Sequence, residues 1–421
     1  MTTIAWFSPL PPVRSGIADA NAELLPRLER DFLIDRYDEP RAHDFIWRNQ
    51  RAPYDLVVYQ LGNASCHDFV WAYLARFPGL VVVHDPTLHH ARARQLLAER
   101  RFDDYRREFW FDHPDANRDF VEYAVEGLGG PIYYFWSMLP AVIRTARMVA
   151  VHNERVAVDL REQCPSTPIE ALHLGTVPID ASAVVRAATR ATLGYPDRAI
   201  VFAAFGKITS EKRIGPILRA VGALVREGVD ARLLLVGDAS DYPSLQHELT
   251  AGGIADRVRV TGFVENEAIG RYLAAADVCL CLRWPTAHET SASWLQCLSA
   301  VRPTVISDLA HTVDIPEGVA IRIDLLNEDE ALQRAMRRLA QDGRLREDLS
   351  RAGHAYWTAH HTMEVMADDY RRVITAAAAR PVPPPPSDLP AHFSKDYSEP
   401  ARAIASRFGV SIDVLERKQA G

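Results

Sequence analysis

The stretch Ala199-Ile-Val-Phe-Ala-Ala-Phe205-Gly206-Lys207-Ile-Thr-Ser-Glu211-Lys212-Arg213 reads as a buried strand, a glycine turn and the start of a helix. The run through Phe205 is almost continuously apolar, as a strand covered on both faces of a parallel sheet must be. Gly206 permits a tight turn and close approach by another backbone. Lys207 follows at once and Lys212 comes five residues later, near the helix start. A lone lysine pair is ordinarily a solvated helix start. Here both sit at the carboxyl end of a strand, where two ammonium groups and the N–H groups of a helix can meet one anion.

Working outward, the same pattern recurs along the chain. Apolar, β-branched runs stand at 4–7, 56–61, 80–84, 148–152 and 169–173, and again at 199–205, 232–236, 258–264, 278–282, 304–307 and 319–323. Longer amphipathic segments separate them, so each run is a strand reaching its parallel neighbour through a crossover helix, the pattern of doubly wound α/β sheets. Twisted sheets rarely exceed about ten strands. The series is therefore divided in two at Gly175-Thr-Val-Pro178, giving an N-terminal domain over 1–177 and a second domain over 178–355. Ligands are expected in the cleft outside the carboxyl ends of the strands. Residues 356–379 read as a helical end, and 380–421 as the proline-rich run Arg380-Pro-Val-Pro-Pro-Pro-Pro-Ser387 followed by a polar tail with one helix near Glu399–Arg407. The proline run is a polyproline II spacer, unable to join either sheet.

Composition narrows the function classes. The chain has 421 residues, 48 Lys+Arg against 55 Asp+Glu, and a net charge of −7, which argues against a general nucleic-acid binder. Its five cysteines, Cys66, Cys164, Cys279, Cys281 and Cys297, are dispersed and contain no C-x-x-C, so neither a disulfide framework nor a structural zinc site is expected. The N-terminus lacks the basic and apolar regions of a signal peptide, and no apolar run approaches the roughly 20 residues of a membrane span. A cytoplasmic protein, at most peripherally attached to a membrane, is the expectation.

A second chemical stretch is Leu282-Arg-Trp-Pro-Thr-Ala-His288-Glu289-Thr290-Ser291-Ala292-Ser293-Trp294-Leu295-Gln-Cys297-Leu298. A strand gives way to a loop, and a helix begins near Ser291. Thr290, Ser291 and Ser293 place hydroxyls beside the orphan N–H groups of the first turn, suited either to a phosphate or to simple capping. Glu289 either caps the helix or holds a ligand hydroxyl. No G-x-S-x-G elbow supports a serine hydrolase, and no G-x-G-x-x-G follows a strand, which sets a nicotinamide oxidoreductase low.

Together these residues resemble a GT-B glycosyltransferase of family four, the retaining sugar-nucleotide transferases also called glycosyl transferases group 1. The resemblance spans roughly residues 3 to 375. It implies two Rossmann-like domains facing a cleft, with a C-terminal helix crossing back to the first. Lys207 and Lys212 take the places of the family's donor-site cations, and Glu289 that of the first, sugar-facing glutamate of its paired-glutamate signature. The opening Pro9-Leu-Pro-Pro12-Val-Arg14-Ser15-Gly16-Ile17-Ala18-Asp19 resembles the family's glycine loop after the first strand, and Tyr59–Asn63 and Val82–Asp85 resemble segments of bacterial members. The catalytic set implied is Glu289, Lys212, Lys207 and His84. The donor-binding set is Gly16, Gly206, Lys207, Lys212, Gly237, Phe263, Val264, Glu289, Thr290, Ser291, Ala292 and Ser293, with the backbone at Phe263–Val264 meeting the nucleobase. Cys297 stands where the second glutamate is expected, Thr290–Ala292 replace the glycines of the signature, and Lys207 replaces an arginine. These departures mark a divergent subgroup.

The implied reaction is transfer of a hexosyl-type sugar from a nucleotide diphosphate to a hydroxyl acceptor with retention, by front-face attack and without a protein nucleophile, cofactor or metal. Charge growing on the leaving diphosphate would meet Lys207, Lys212 and the helix start at 290–293. The acceptor is a glycan, a lipid-linked molecule or a small molecule, in bacterial glycan or glycolipid assembly. The alternative is a non-catalytic binding or regulatory partner of the same fold, for which Cys297 is the support. Gly16 also reads as a plain helix start and His84 as a satisfied core histidine. A metal site at His84, His89 and His90 is rejected, since that spacing crosses a strand–helix junction. The arginine-rich segment 91–110 reads as a solvated helix whose acids balance its bases, in preference to a membrane-binding one. The aromatic run Tyr133-Tyr-Phe-Trp136 reads as core before acceptor groove. The helical end at 355–379 is expected to pack on the first domain through Tyr356, Trp357, Met363, Met366, Tyr370 and Val373, with a hinge near Gly175–Pro178.

Overall fold

The computed structural model describes residues 1–394, 403–404 and 406–409, and the chain forms two α/β units. The first comprises Met1–Ala171 and the chain from Tyr370 on; the second is Leu172–Asp369. The expected helix near Glu399–Arg407 lies largely outside the described residues.

In the first unit six parallel strands, β1 (Thr3–Phe7), β2 (Leu33–Tyr37), β3 (Leu56–Leu61), β4 (Leu80–Val83), β5 (Met148–Val151) and β6 (Ile169–Ala171), lie in the order β2-β1-β3-β4-β5-β6. Every residue of β3, β4 and β5 is buried, which accounts for their unbroken apolar runs. The strand absent from the sequence reading is β2. It is an edge strand, and its Leu-Ile-Asp-Arg-Tyr buries only Tyr37, so no apolar run is required of it.

The second unit holds β7 (Ile200–Phe205), β8 (Ala231–Val236), β9 (Val258–Val260), β10 (Val278–Cys281), β11 (Thr304–Ser307) and β12 (Ile321–Ile323), all parallel, ordered β12-β11-β10-β7-β8-β9. Both outer strands are shorter than the apolar runs containing them, and Arg259 and Val260 of β9 are exposed. Apolar clusters cover both faces of the sheet's inner strands, one including Phe202, Ile217 and Leu233, the other Val201, Phe205 and Cys297.

The helical end is two helices, Gly343–His360 and Met363–Ala378. Only the part from Tyr370 belongs to the first unit, where Tyr370 packs on Trp6 at 5.7 Å and donates to Gln60 Oε1 at 3.2 Å. Tyr356, Trp357, Met363 and Met366 stay with the second unit: Trp357 Nε1 donates to Thr176 Oγ1 at 2.8 Å, and Tyr356 packs on Trp294. Gly175–Pro178 lies inside the second unit, past the point where the chain leaves the first. Thr176 N–H donates to the His361 carbonyl at 2.9 Å, and a Cβ on Gly175 would stand 2.6 Å from the Thr362 carbonyl oxygen.

The arginine-rich segment is also two helices, His89–Ala98 and Phe102–Asp112, separated by Arg100 at φ +57°. Its arginines pair with acids as the solvated reading expects, Arg94 with Asp68, Arg106 with Glu122 and Arg107 with Asp104. Arg92 differs, because it is buried and clamps the buried Glu108 through two bonds of 2.5 and 2.6 Å. The residues after the proline run come back to this pair. His392 Nε2 stands 3.0 Å from Glu108 Oε2, the Arg92 guanidinium lies 4.1 Å over Trp71, and Phe393 packs against the same tryptophan. The tail is thus docked at 392–393, although its composition reads as a polar extension.

Burial pushes the Glu108 carboxyl up, but Arg92 and His392 outweigh it and hold the pKa at about 2. Removing one partner of such a buried pair destabilises by about 3–5 kcal/mol, whereas replacing both with apolar groups is much milder. Glu108→Gln is expected to lower unfolding free energy by that order in urea denaturation, and Arg92→Leu with Glu108→Leu to recover most of it. Because the folded pKa lies below the ordinary carboxyl value, the stabilisation is full above pH 4.5 and is lost as pH falls toward 2; Glu108→Gln should flatten that acid limb.

Candidate active site

In the second sheet the strand sequence runs outward in both directions from β7 and β10, which are neighbours. This is the point where strand order reverses, and the crevice at the carboxyl ends of such a pair is where open α/β sheets bind ligands. Both chemical stretches of the sequence emerge there, 206–212 from β7 and 282–293 from β10.

Beyond β7 the backbone stays paired to the chain leaving β8. Gly206 N–H donates to Val236 O at 2.9 Å and Ile208 N–H to Asp238 O at 2.7 Å. Gly206 has φ +86°, and a Cβ on Gly237 would collide with the Gly206 carbonyl, so glycine is required at both positions. The turn brings Lys212 back over Gly206: its ammonium donates to the Phe205 carbonyl, and a Cβ on Gly206 would lie 2.6 Å from Nζ. Burial first, then the nearby Arg283, pulls Lys212 down to about pKa 8, against the opposing pull of Cys281, Cys297 and Glu289. Lys207 turns elsewhere, to Asp241 at 2.5 Å, with both side chains more than half exposed. The two ammonium groups share one turn but hold different partners.

From β10, Arg283 N–H donates to Ser307 Oγ at 2.9 Å and Trp284 N–H to the Glu211 carbonyl at 2.7 Å, fastening this loop to the Lys212 turn. The Arg283 guanidinium pairs with Glu289, whose other carboxylate oxygen accepts from Thr286 Oγ1 at 2.9 Å. Thr286 Oγ1 in turn accepts from the His288 N–H at 3.0 Å, which holds His288 at φ +64°. The His288 ring stacks on His311 at 5.6 Å, and burial draws the His311 imidazole down to about 4, leaving it neutral near pH 7. Glu289, at 14% side-chain exposure, is therefore an oriented carboxylate held beside cations. It does not cap the helix Ala292–Ser299. Ser291 does so, accepting from Trp294 N–H at 3.3 Å with Ser293 Oγ 3.1 Å away, and Ala292 is exposed at the first helical position.

Along the same edge, Gly237 N–H donates to Thr261 Oγ1 at 3.2 Å. Phe263 and Val264 lie beyond β9; Phe263 is 56% exposed, and Val264 packs against the cluster that includes Phe205. Cys297 is fully buried, 3.8 Å from Cys281 Sγ. A side chain at 297 points into the core, and its partly exposed neighbour on that helical turn is Gln296.

The first unit places His84 at the carboxyl end of β4, with Nε2 2.6 Å from Gln60 Oε1 and its ring 4.7 Å from that of His152. Burial, reinforced by His152 and His67, drives its pKa far down, so the ring is neutral. His89 instead meets Tyr105 OH at 2.7 Å and His90 packs on Tyr133 and Tyr134, whereas His84 meets Gln60 and His152. Tyr133 and Trp136 likewise pack inward against His89 and Phe109, while Phe135 is 76% exposed. Gly16 opens the helix Gly16–Leu28 after the Ser15 cap, and a Cβ there would meet nothing within 4 Å; neither packing nor backbone conformation demands glycine. The sequence reading missed Arg283 and Gln60. Arg283 had a legible signal, since it follows β10 closely just as Lys207 follows β7.

Residues 199–342, which hold the β7 and β10 loops, match the family model described as glycosyl transferases group 1. The chain is 28% identical over 186 residues to the alpha-D-kanosaminyltransferase of Streptomyces kanamyceticus, and 30% identical over 195 residues to the lipopolysaccharide core biosynthesis glycosyltransferase LpsD of Rhizobium meliloti. These matches take in 44% and 45% of this chain and 47% and 54% of theirs, so the chain spans about half the length of the curated relatives it matches. Among solved structures, sucrose-phosphate synthase from Thermosynechococcus elongatus superposes with a TM-score of 0.63 at 15% identity, and Anabaena Alr3699/HepE in complex with UDP-glucose with 0.62 at 14%. Each covers 89% of this chain and all of its own, a likeness of fold. With two parallel six-stranded Rossmann-like sheets in one chain the architecture is that of GT-B proteins, and residues 199–342 of its second unit are similar to the glycosyl transferases group 1 family.

Proposed function

We propose that the chain is a retaining glycosyltransferase that moves a sugar from a nucleoside diphosphate to a hydroxyl acceptor in bacterial glycan or glycolipid assembly. The observation that carries this reading is the convergence of Lys212, Arg283, Glu289 and the Ser291-capped helix start at the β7–β10 crevice, inside the segment that matches the family. The HepE structures hold UDP or UDP-glucose, which supports the donor class, and LpsD is named for lipopolysaccharide core synthesis, which supports the acceptor class.

Cleavage of a glycosyl–phosphate bond leaves the anomeric carbon cation-like and concentrates negative charge on the departing diphosphate. Lys212 is held by a backbone carbonyl before any ligand arrives, so its charge needs little reorganisation when that negative charge develops. The N–H groups at the start of Ala292–Ser299 add a second fixed source of positive potential. Lys207 sits in an exposed ion pair, which is weak enough for a phosphate to displace. Glu289, oriented by Arg283 and Thr286, offers its carboxylate to a hydroxyl of the transferred sugar. The departing phosphate takes the acceptor proton, so no protein nucleophile enters. Gly16 is assigned to donor binding and His84, at the end of its strand, to contact with the transferred sugar as a neutral hydrogen-bonding group. The non-catalytic alternative rests on Cys297 in place of a second glutamate; that thiol is fully buried, within electrostatic reach of Lys212.

Three outcomes test the proposal. Lys212→Ala should reduce sugar transfer about 10²–10³-fold, the usual effect of removing one preorganised donor, in protein whose folded state is checked by circular dichroism; unchanged turnover removes Lys212 from the site. Affinity for a nucleoside diphosphate, followed by titration calorimetry, should fall as pH rises past about 8, because the free amine loses its charge there. Lys212→Arg, which stays protonated, should abolish that alkaline limb. A panel of UDP-, GDP- and ADP-sugars should contain at least one that raises the melting temperature by mass action and is slowly hydrolysed. A panel with neither effect would give the binding-partner reading the case.

A further inference from the structure

Directly beneath the Lys212 turn lies a set of thiols that the transfer chemistry does not use. Cys279 and Cys281 are two apart on β10 and share one face of the strand, opposite the helix Ala292–Ser299 that carries Cys297. Cys281 Sγ and Cys297 Sγ are 3.8 Å apart, and all five cysteines of the chain are free thiols. Cys279 and Cys297 are fully buried, whereas Cys281, the last residue of β10, is partly exposed. The pairing of β10 with β7 joins Cys279 to Ala203; continued two residues, it sets Cys281 beside Phe205, whose carbonyl receives the Lys212 ammonium. A thiol at the mouth of the crevice, next to a cation and touching a second, buried thiol, is the arrangement of an attacking and a resolving cysteine.

We infer that Cys281 and Cys297 form a redox-modification site, oxidised to a disulfide by a small hydroperoxide. The Cys281 thiolate, beside the Lys212 ammonium, attacks one peroxide oxygen. The O–O bond breaks, an S–O bond forms, and the departing hydroxide takes a proton and leaves as water. Cys297 then attacks the resulting sulfenic sulfur: the S–S bond forms, and the hydroxyl leaves with the Cys297 proton as a second water. Overall two thiols and one hydrogen peroxide give one disulfide and two waters, with two electrons passing to the peroxide. Cys297 is the resolving partner because burial pushes its thiol well up, leaving it little thiolate until the sulfenic acid forms against it.

The bridge would close residues 282–296 into a loop. That loop contains Arg283, Glu289 and the Ser291 cap, so oxidation fixes the β10 side of the crevice and shifts the surroundings of Lys212. This functional consequence rests on the donor-site reading above; the bond itself does not.

The test is therefore read first by mass. The full chain is treated with hydrogen peroxide, alkylated and digested with trypsin without reduction. Trypsin spares the bond between Arg302 and Pro303, so the expected product is residues 272–283 joined to residues 284–322. It is two hydrogens lighter than the separate peptides, with fragmentation placing the bond on Cys281 and dithiothreitol reversing it. Two of the five thiols should be lost to alkylation. UDP should slow the reaction by covering Cys281, and Cys281→Ser should not form the link while keeping the parent melting temperature. A bond through Cys279, or Cys281 oxidised to the sulfinic acid with Cys297 still alkylated, overturns the inference. In the second arm, sugar transfer should fall as the link accumulates and return with dithiothreitol. Linked protein of undiminished activity would overturn the coupling to the donor site. A link that forms in a chain with no transfer even when reduced would support the thiol site and count against the proposed function.

Discussion

The ammonium of Lys212 donates to the Phe205 carbonyl across the Cα of Gly206, and the carboxyl edge of the second sheet is organised around that contact. It is possible only because two glycines face each other: a Cβ at 206 would meet the ammonium, and one at 237 would meet the 206 carbonyl. The same turn presents the Glu211 carbonyl to Trp284, so the loop leaving β10 is registered against the loop leaving β7. Arg283 and Glu289 inherit their positions from that registration. A buried amine beside an arginine has its charge weakened, and the fold accepts this because the backbone carbonyl and the nearby Glu289 carboxylate offset part of the desolvation.

A second buried charge organises the first unit quite differently. Arg92 and Glu108 sit among aromatic side chains with both carboxylate oxygens bonded, and His392 and Phe393 complete their surroundings after the proline run. The proline segment adds no sheet hydrogen bonds. Its stiffness and length carry the chain to a place where an imidazole and a phenyl ring shield an ion pair, and Asp388 is pinned on the way by Arg144. Charge thus marks where the tail docks at one position, and at the other it gathers Lys212, Arg283 and Glu289 at one strand edge.

Much of the fold was legible because parallel strands buried on both faces must be apolar throughout. The central strands β3, β4, β5, β7 and β8 announce themselves for that reason. The edges do not: β2 carries Asp35 and Arg36, and β9 shrinks to three residues with an exposed side. The site was legible in part. Glycine before lysine at the end of a strand, and a glutamate before a Ser-rich helix start, are local signals with local causes. Arg283 as the partner of Glu289, and the division of the two lysines between Phe205 and Asp241, depend on rotamers set by neighbours far along the chain.

Cys297 shows most plainly where linear reading stops. Spacing from Glu289 places it at a position where a second carboxylate is expected, and the substitution then looks like a loss. The helix phase puts that side chain in the core, 3.8 Å from the Cys281 thiol, a neighbour that the spacing from Glu289 does not reveal. By itself the sequence determined the two parallel sheets, the glycine turns and the residue types gathered at strand ends, because burial on both faces and positive φ restrict which residues can stand there. Only the tertiary structure decided which of those residues meet, because β7 and β10 are brought together by strand order, a property of the whole sheet that no stretch of chain contains.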